Sequence, residues 1–288
     1  MHMLAVLLLA TTFAVPDYDA IKGIQKYATK EEYDAARADA RFQLTKVPYR
    51  SGELEVFAYV YAPVDAKAKL PVIVYNRGSW TWKEFGGELL TTFNRLGNAG
   101  FLVVAPMLRG SGGAAGADEL GGADLEDLLN AKALLASLPN ADTNNVFLYG
   151  ESRGGMMTYQ AIRDRFPARA AAVFGGFTDM GALVAAQPKF LQAAKMIFPD
   201  YAANADAIHR RRSVLAWAEK LDVPILIMHG GADTDVPPAQ SLALAQKLAE
   251  LGKRYELVIR NGANHVLTQW RVERDAHAIE WFRRHMAK

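Results

Sequence analysis

The run Val146-Phe-Leu-Tyr149-Gly150-Glu-Ser152-Arg-Gly154 decides the reading of this chain. Four apolar residues in a row suit a strand buried on both faces. The G-x-S-x-G that follows ends the strand in a tight turn, and a helix is expected from Ser152 to Arg165. A serine at a strand-to-helix turn projects its hydroxyl from the strand end, and the helix N-terminus behind it favours developing negative charge.

The same rhythm extends in both directions. Short apolar runs at Pro71–Tyr75, Phe101–Ala105, Ala170–Phe174, Pro224–Met228 and Tyr255–Ile259 read as further buried strands. Helical patterns fall between them at Glu88–Asn98, Asp124–Leu138 and Pro238–Leu251, and again from the last strand to the C-terminus. Strand–helix alternation predicts a mostly parallel sheet with helices on both faces, an α/β fold. Thr178–Ala218 is helical where one crossover is due, so it reads as a small cap insertion above the sheet. Upstream, Arg41–Val47 and Leu54–Tyr61 alternate like an antiparallel edge pair around a Ser51-Gly52 turn. Thr29-Lys-Glu-Glu32 has capping-box spacing and predicts a short helix to about Ala40, an N-terminal decoration.

Composition narrows the class. The 288 residues carry 33 basic and 31 acidic side chains, a net charge of +2, with 51% hydrophobic and 22% charged residues. Disordered, collagen-like and coiled-coil chains are excluded, and balanced charge gives no nucleic-acid signal. The absence of cysteine removes thiolate catalysis and Cys-ligated metal sites. Leu4–Ala10 is an unbroken apolar run, too short with its flank for a membrane span. It reads as a secretory signal covering 1–14, cleaved after Ala14, although Met1-His2-Met3 lacks the usual basic residue. The expected organisation is then an extension over 15–41 and one catalytic domain over 42–288, with its cap at about 178–218.

A serine nucleophile needs a base, and the chain has six histidines. His2 lies in the expected signal, His209 in the cap, and His277 and His285 on the last helix. His229 ends a strand before Gly230 and reads as a turn residue. His265 follows the last strand in a loop at the sheet edge that holds Ser152, where sites form in α/β sheets. The orienting acid should lie between them in sequence. Either Asp233 or Asp235 could serve; Asp235 precedes Val236-Pro237-Pro238, where a helix cap is its bland role, which favours Asp233. The Arg153 backbone N–H is one oxyanion donor. The second is expected from the loop after Pro71–Tyr75: a backbone N–H at Gly78 or Ser79, or the Tyr75 hydroxyl. Trp80 and Trp82 form either a substrate wall or simple packing. Phe198, with Phe190, Leu191, Met196 and Ile197, offers apolar surface to roof an acyl pocket.

Together these pieces resemble the catalytic domain of the prolyl oligopeptidase-type serine peptidases, whose fold is the α/β-hydrolase fold. Arg109-Gly-Ser-Gly-Gly113 with Gly121-Gly-Ala-Asp124-Leu-Glu-Asp127 resembles its segment between strand and helix, and Gly150-Glu-Ser152-Arg-Gly-Gly155 resembles its nucleophile elbow. His229-Gly-Gly-Ala-Asp233-Thr-Asp-Val236-Pro237 resembles its H-G-x-x-D-x-x-V-P signature, which implies Asp233 as the acid and His265 as the base. The residues ahead of Phe42 are too few for the β-propeller that family members usually carry, so aminodipeptidase selectivity is not implied. Asn76-Arg77-Gly78 stands where His-Gly-Gly is more usual.

The expected activity is hydrolysis of amide or ester bonds in short peptides or small esters, without cofactor or metal. Two other readings are weaker. Gly110–Ala115 fits G-x-G-x-x-A but does not join strand directly to helix. A non-catalytic binding module is disfavoured by intact Ser152, Asp233 and His265. His209-Arg-Arg-Arg212 reads as a solvated face, or as a clamp for a carboxylate.

Overall fold

A computed structural model describes residues 10–79 and 87–287. Its centre is a 9-stranded sheet in the order β1-β2-β3-β5-β4-β6-β7-β8-β9. The strands are β1 (Thr11–Thr12), β2 (Phe42–Ser51), β3 (Leu54–Pro63), β4 (Leu70–Asn76), β5 (Leu102–Pro106), β6 (Ala141–Glu151), β7 (Ala170–Phe174), β8 (Ile225–Gly230) and β9 (Tyr255–Arg260). The pairs β1/β2, β2/β3 and β3/β5 are antiparallel, and every pair from β5 to β9 is parallel. This is the mostly parallel sheet with an antiparallel edge that the residue pattern predicts. β6 is longer than its apolar run, because Ala141 and Asp142 pair with Leu70 and Pro71 before a register shift leads to Val146 opposite Val72.

Helices cover both faces. One core sets Val72 and Val74 of β4 against α3 (Leu125–Ser137) and α4 (Arg153–Arg163), through Leu128, Leu135, Met156 and Tyr159. The other sets Ile73 and Tyr75 against α2 (Leu90–Asn98) and α9 (Arg271–Arg284), through Phe93, Leu96 and Phe282. Alternate side chains of one strand enter opposite cores, so all of them must be apolar. That is why these strands read as continuous apolar runs. Each fully buried Val or Ile contributes about 1.5–3 kcal/mol.

The N-terminal segment is more than a decoration. Thr29 and Glu32 form the expected capping box, Glu32 N–H donating to Thr29 Oγ1 at 3.2 Å and Thr29 N–H to Glu32 Oε2 at 2.8 Å. The helix they start, α1 (Lys30–Arg37), stops short of Ala40. Ile24 and Tyr33 are fully buried in the second core. The expected cap comprises α5 (Met180–Ala186), α6 (Pro188–Ile197) and α7 (Tyr201–Arg212), and α8 (Ala239–Glu250) follows β8. Among the described residues no helix is long and apolar enough to cross a membrane.

Candidate active site

Ser152 sits at the turn between β6 and α4 with φ 52° and ψ −117°, a backbone state that side chains rarely adopt. Such strain persists where surrounding structure over-determines it. Here the surroundings are close: a Cβ on Gly154 would lie 1.9 Å from the Asn76 carbonyl oxygen. The first turn of α4 can therefore run against β4 only with glycine at that position.

Three strand ends converge on this serine. His265, after β9, places Nε2 2.8 Å from Ser152 Oγ, and its Nδ1 lies 2.7 Å from Asp233 Oδ2, after β8. Gly175, after β7, leaves room for the imidazole, since a Cβ there would come within 3.2 Å of it. The Asp233 carboxylate accepts on both oxygens: Oδ1 takes the N–H groups of Asp235 (2.8 Å) and Val236 (2.9 Å). Burial by itself raises the Asp233 pKa, but hydrogen bonds from His229 and His265 outweigh it and hold the carboxyl well below the usual carboxylate range. Asp235 instead pairs with Lys189 of α6, a partly exposed pair at the edge of the cavity beside Ser152. It caps no helix, because Pro238 occupies the N-terminus of α8.

His229, which reads as a turn residue in the sequence, is fully buried beside the acid. Its Nε2 lies 2.9 Å from the Val236 carbonyl oxygen and 3.0 Å from Asp233 Oδ2. A carbonyl can only accept, so Nε2 carries a proton, and Nδ1 is hydrogen-bonded with the Ser241 hydroxyl at 2.6 Å. His229 therefore braces the back of the carboxylate that faces His265. The sequence signal was its place at the head of the H-G-x-x-D run.

The depressed Asp233 carboxyl has a pH consequence. Its stabilisation is fully present above the ordinary value of 3.8 and is lost progressively as pH falls from there through the depressed folded value. The Tm difference between wild type and Asp233→Asn is expected to stay constant from about pH 8 to about pH 5 and to shrink below about pH 4. A difference still undiminished at about pH 2 rejects this account.

Ser152 opens into a cavity of about 280 Å³. One wall is apolar, with Leu120, Phe177, Phe190 and Val266. The cavity's polar lining includes Tyr27, the Lys189–Asp235 pair and Glu151, whose carboxylate lies 2.8 Å from the Arg274 guanidinium. Gly78, Ser79 and Arg153 complete the floor beside Ser152. Tyr27 comes from the N-terminal segment and carried no sequence signal.

Two expected site residues lie elsewhere. Tyr75 is fully buried, stacked on Tyr149 at a ring separation of 4.9 Å in the second core, so its hydroxyl is no oxyanion donor. β4 alternation sends this side chain to the face away from α4. Phe198 follows the C-terminal end of α6, about 12 Å along the axis from Phe190. It lies under the Arg212 guanidinium, 4.3 Å from its ring centre, and does not line the cavity. Trp80 and Trp82 lie outside the described residues. Arg212 is buried rather than solvated and donates to loop carbonyls at Glu119 (2.7 Å) and Leu120 (2.6 Å). Among the described residues no group of acidic or histidine side chains is placed to hold a metal ion.

A serine on a strand-to-helix elbow, with an acid and a histidine from the loops after two later parallel strands, is the architecture of the α/β-hydrolases. The chain belongs to the prolyl oligopeptidase family of peptidases, whose profile matches residues 89–288. It is 30% identical over 158 residues to the peptidase YtmA of Bacillus subtilis, covering 54% of this chain and 62% of that protein. It is 26% identical over 245 residues to the human acylamino-acid-releasing enzyme, covering 76% of this chain and 32% of that one. The chain thus spans less than two thirds of either relative. The crystal structure of Pyrococcus horikoshii acylaminoacyl peptidase shares the fold at TM-score 0.76 and 23% identity, over 91% of this chain and 44% of that one.

Proposed function

We propose that this chain is a serine hydrolase that cleaves short peptide or ester substrates by acyl transfer. The observation that carries the reading is the hydrogen-bonded line Ser152–His265–Asp233, with distances of 2.8 and 2.7 Å, opening into one cavity. The Asp233 carboxylate can only accept, so it fixes the proton on His265 Nδ1 and leaves Nε2 free to take the Ser152 proton. Ser152 Oγ attacks the carbonyl carbon, and the Arg153 N–H with a donor from the Gly78–Ser79 loop holds the oxyanion. The intermediate collapses as His265 gives its proton to the leaving group. Water then repeats the sequence on the acyl-enzyme. No step calls for a cofactor.

Family membership and the acylaminoacyl peptidase relatives favour amide bonds in short peptides. The apolar wall of Leu120, Phe177 and Phe190 suits the acyl chain of a small ester equally well, which keeps carboxylesterase action as the second reading. Profiling the purified protein on p-nitrophenyl acyl esters beside peptide amides and N-acylated peptides separates the two. A fluorophosphonate label on wild type but not on Ser152→Ala tests the nucleophile. Hydrolysis of neither class rejects the reading.

Short apolar acyl groups should be preferred, with folded proteins ignored. Phe190→Ala is expected to lower kcat/KM for short acyl groups by about 10-fold and to flatten the short-to-long preference. Phe198→Ala should leave selectivity unchanged and lower Tm, because Phe198 packs on Arg212. The opposite assignment in an acyl-length series overturns this placement.

We further propose export, on the apolar run Leu4–Ala10. Thr11 and Thr12 pair with Lys46 and Thr45 of β2, so cleavage after Ala14 would remove β1. The N-terminal sequence of the mature protein from a fractionated cell decides this. Balanced charge argues against a nucleic-acid partner.

A further inference from the structure

The side chain that follows the nucleophile is buried and holds three acceptors through its two terminal nitrogens. Arg153 Nη2 donates to Asp118 Oδ1 at 2.8 Å and to Asp124 Oδ2 at 2.5 Å, and its Nη1 donates to the Ser79 carbonyl at 3.3 Å. A second buried guanidinium works on the same loop. Arg77 Nη1 donates to the carbonyls of Gly78 (3.2 Å) and Ser79 (2.8 Å), and its Nη2 to Ser111 Oγ at 3.0 Å. Burial pulls the Arg77 pKa down to about 10, which leaves it a cation at neutral pH.

These bonds orient a peptide. Among the described residues no peptide bond is cis, and in a trans peptide the C=O and N–H point in opposite directions. Holding the Gly78 carbonyl on Arg77 turns the Ser79 N–H the other way, toward the cavity that both residues line, while Arg153 and Arg77 together hold the Ser79 carbonyl and so fix the far side of that residue. Ser152 is adjacent, since a Cβ on Gly78 would lie 3.4 Å from the Ser152 Cβ. Ser79 holds φ 58°, a state that a residue adopts when its neighbours impose it.

The anchor is itself anchored. Asp118 Oδ1 also accepts the Leu120 N–H at 2.9 Å, and Asp124 accepts the N–H groups of Gly121 (3.1 Å) and Gly122 (2.8 Å). Arg212 of α7 grips this glycine-rich loop through the carbonyls of Glu119 and Leu120. A cap helix, the loop and the nucleophile turn are thus linked through these bonds beside the cavity.

We propose that Arg153 and Arg77 are positioning residues which aim the Ser79 N–H at the substrate carbonyl oxygen, making it the second oxyanion donor, with Asp118 holding Arg153 in place. The inference rests on acyl transfer at Ser152. Donors placed in advance cost no reorganisation in the transition state, and losing one typically costs about 10²–10³ in kcat.

The test compares wild type, Arg153→Met, Asp118→Asn and a control, Asp222→Asn, whose carboxylate pairs with exposed Arg165. Active sites are titrated with a fluorophosphonate. Then kcat and KM for p-nitrophenyl butyrate and Ki for n-butylboronic acid, which forms a tetrahedral adduct on serine, are measured per titrated site. Arg153→Met should lose about 10²-fold in kcat with KM changed less than about 3-fold, and boronate Ki should rise by the same factor as kcat falls. Asp118→Asn should lose about 10-fold in the same pattern, and the control nothing. A merely structural role would lower Tm and the titrated fraction while leaving kcat per site and Ki unchanged, and that result overturns the proposal. If Arg153→Met yields no titratable enzyme, Asp118→Asn decides: unchanged kcat per site rejects positioning. Failure of wild type to label at Ser152 removes the acyl-transfer reading first, and this inference with it.

Discussion

Ser152→Ala is expected to lower kcat by about 10⁴–10⁶-fold, the scale seen when one member of such a unit is removed. The hydroxyl is the reacting atom, and among the described side chains it is the one that His265 Nε2 meets, at 2.8 Å. The fold should tolerate the change. Ser152 contributes strained backbone rather than core packing, and the backbone is held by neighbours that remain, including the Ser152 N–H to Phe174 carbonyl bond of 2.8 Å. Alanine at φ 52° meets no more steric cost than serine does. The measurement pairs kcat on the best ester or amide with Tm. A variant that keeps a tenth of wild-type activity at unchanged Tm would falsify the mechanism.

The second large effect separates two neighbouring carboxylates. Asp233→Asn is expected to lower kcat by about 10⁴-fold. Asp233 accepts on every side, from His265 and His229 at Oδ2 and from two backbone N–H groups at Oδ1. An asparagine must turn its NH₂ toward one of those pairs. Facing His265, it donates to Nδ1 and drives the proton to Nε2, where the imidazole can no longer receive from Ser152. Facing the loop, it opposes the Asp235 and Val236 N–H groups and costs about 1–3 kcal/mol in unsatisfied donors. Activity, stability or both must fall. Asp235→Asn breaks only an exposed pair with Lys189, worth about 0–1 kcal/mol, and should leave kcat within about 3-fold. Kinetics and melts on both variants check the contrast, and the reverse ranking in kcat would assign the acid to Asp235.

The chain's own residue order determined the sheet, its helices on both faces, the cap and the three residues of the relay. These features rest on local physics. Val72 and Ile73 must both be apolar because they enter different cores. Gly154 must be glycine because α4 starts against Asn76. The H-G-x-x-D run keeps His229 and Asp233 within one turn of chain. What the packing of distant segments decided was the rest of the site. Tyr75 and Phe198 are apolar enough to line a cavity, but strand alternation and the length of α6 carry them away from it, while Phe190 is carried in. Tyr27 reaches the cavity from the N-terminal segment, and Arg77, Arg153 and Arg212 meet Asp118, Asp124 and the Glu119–Leu120 carbonyls across long stretches of chain. A charged residue in a sequence reads as solvated by default, since burying it is costly without partners. Its partners here exist only once the glycine-rich loop, the nucleophile turn and the cap have been folded together.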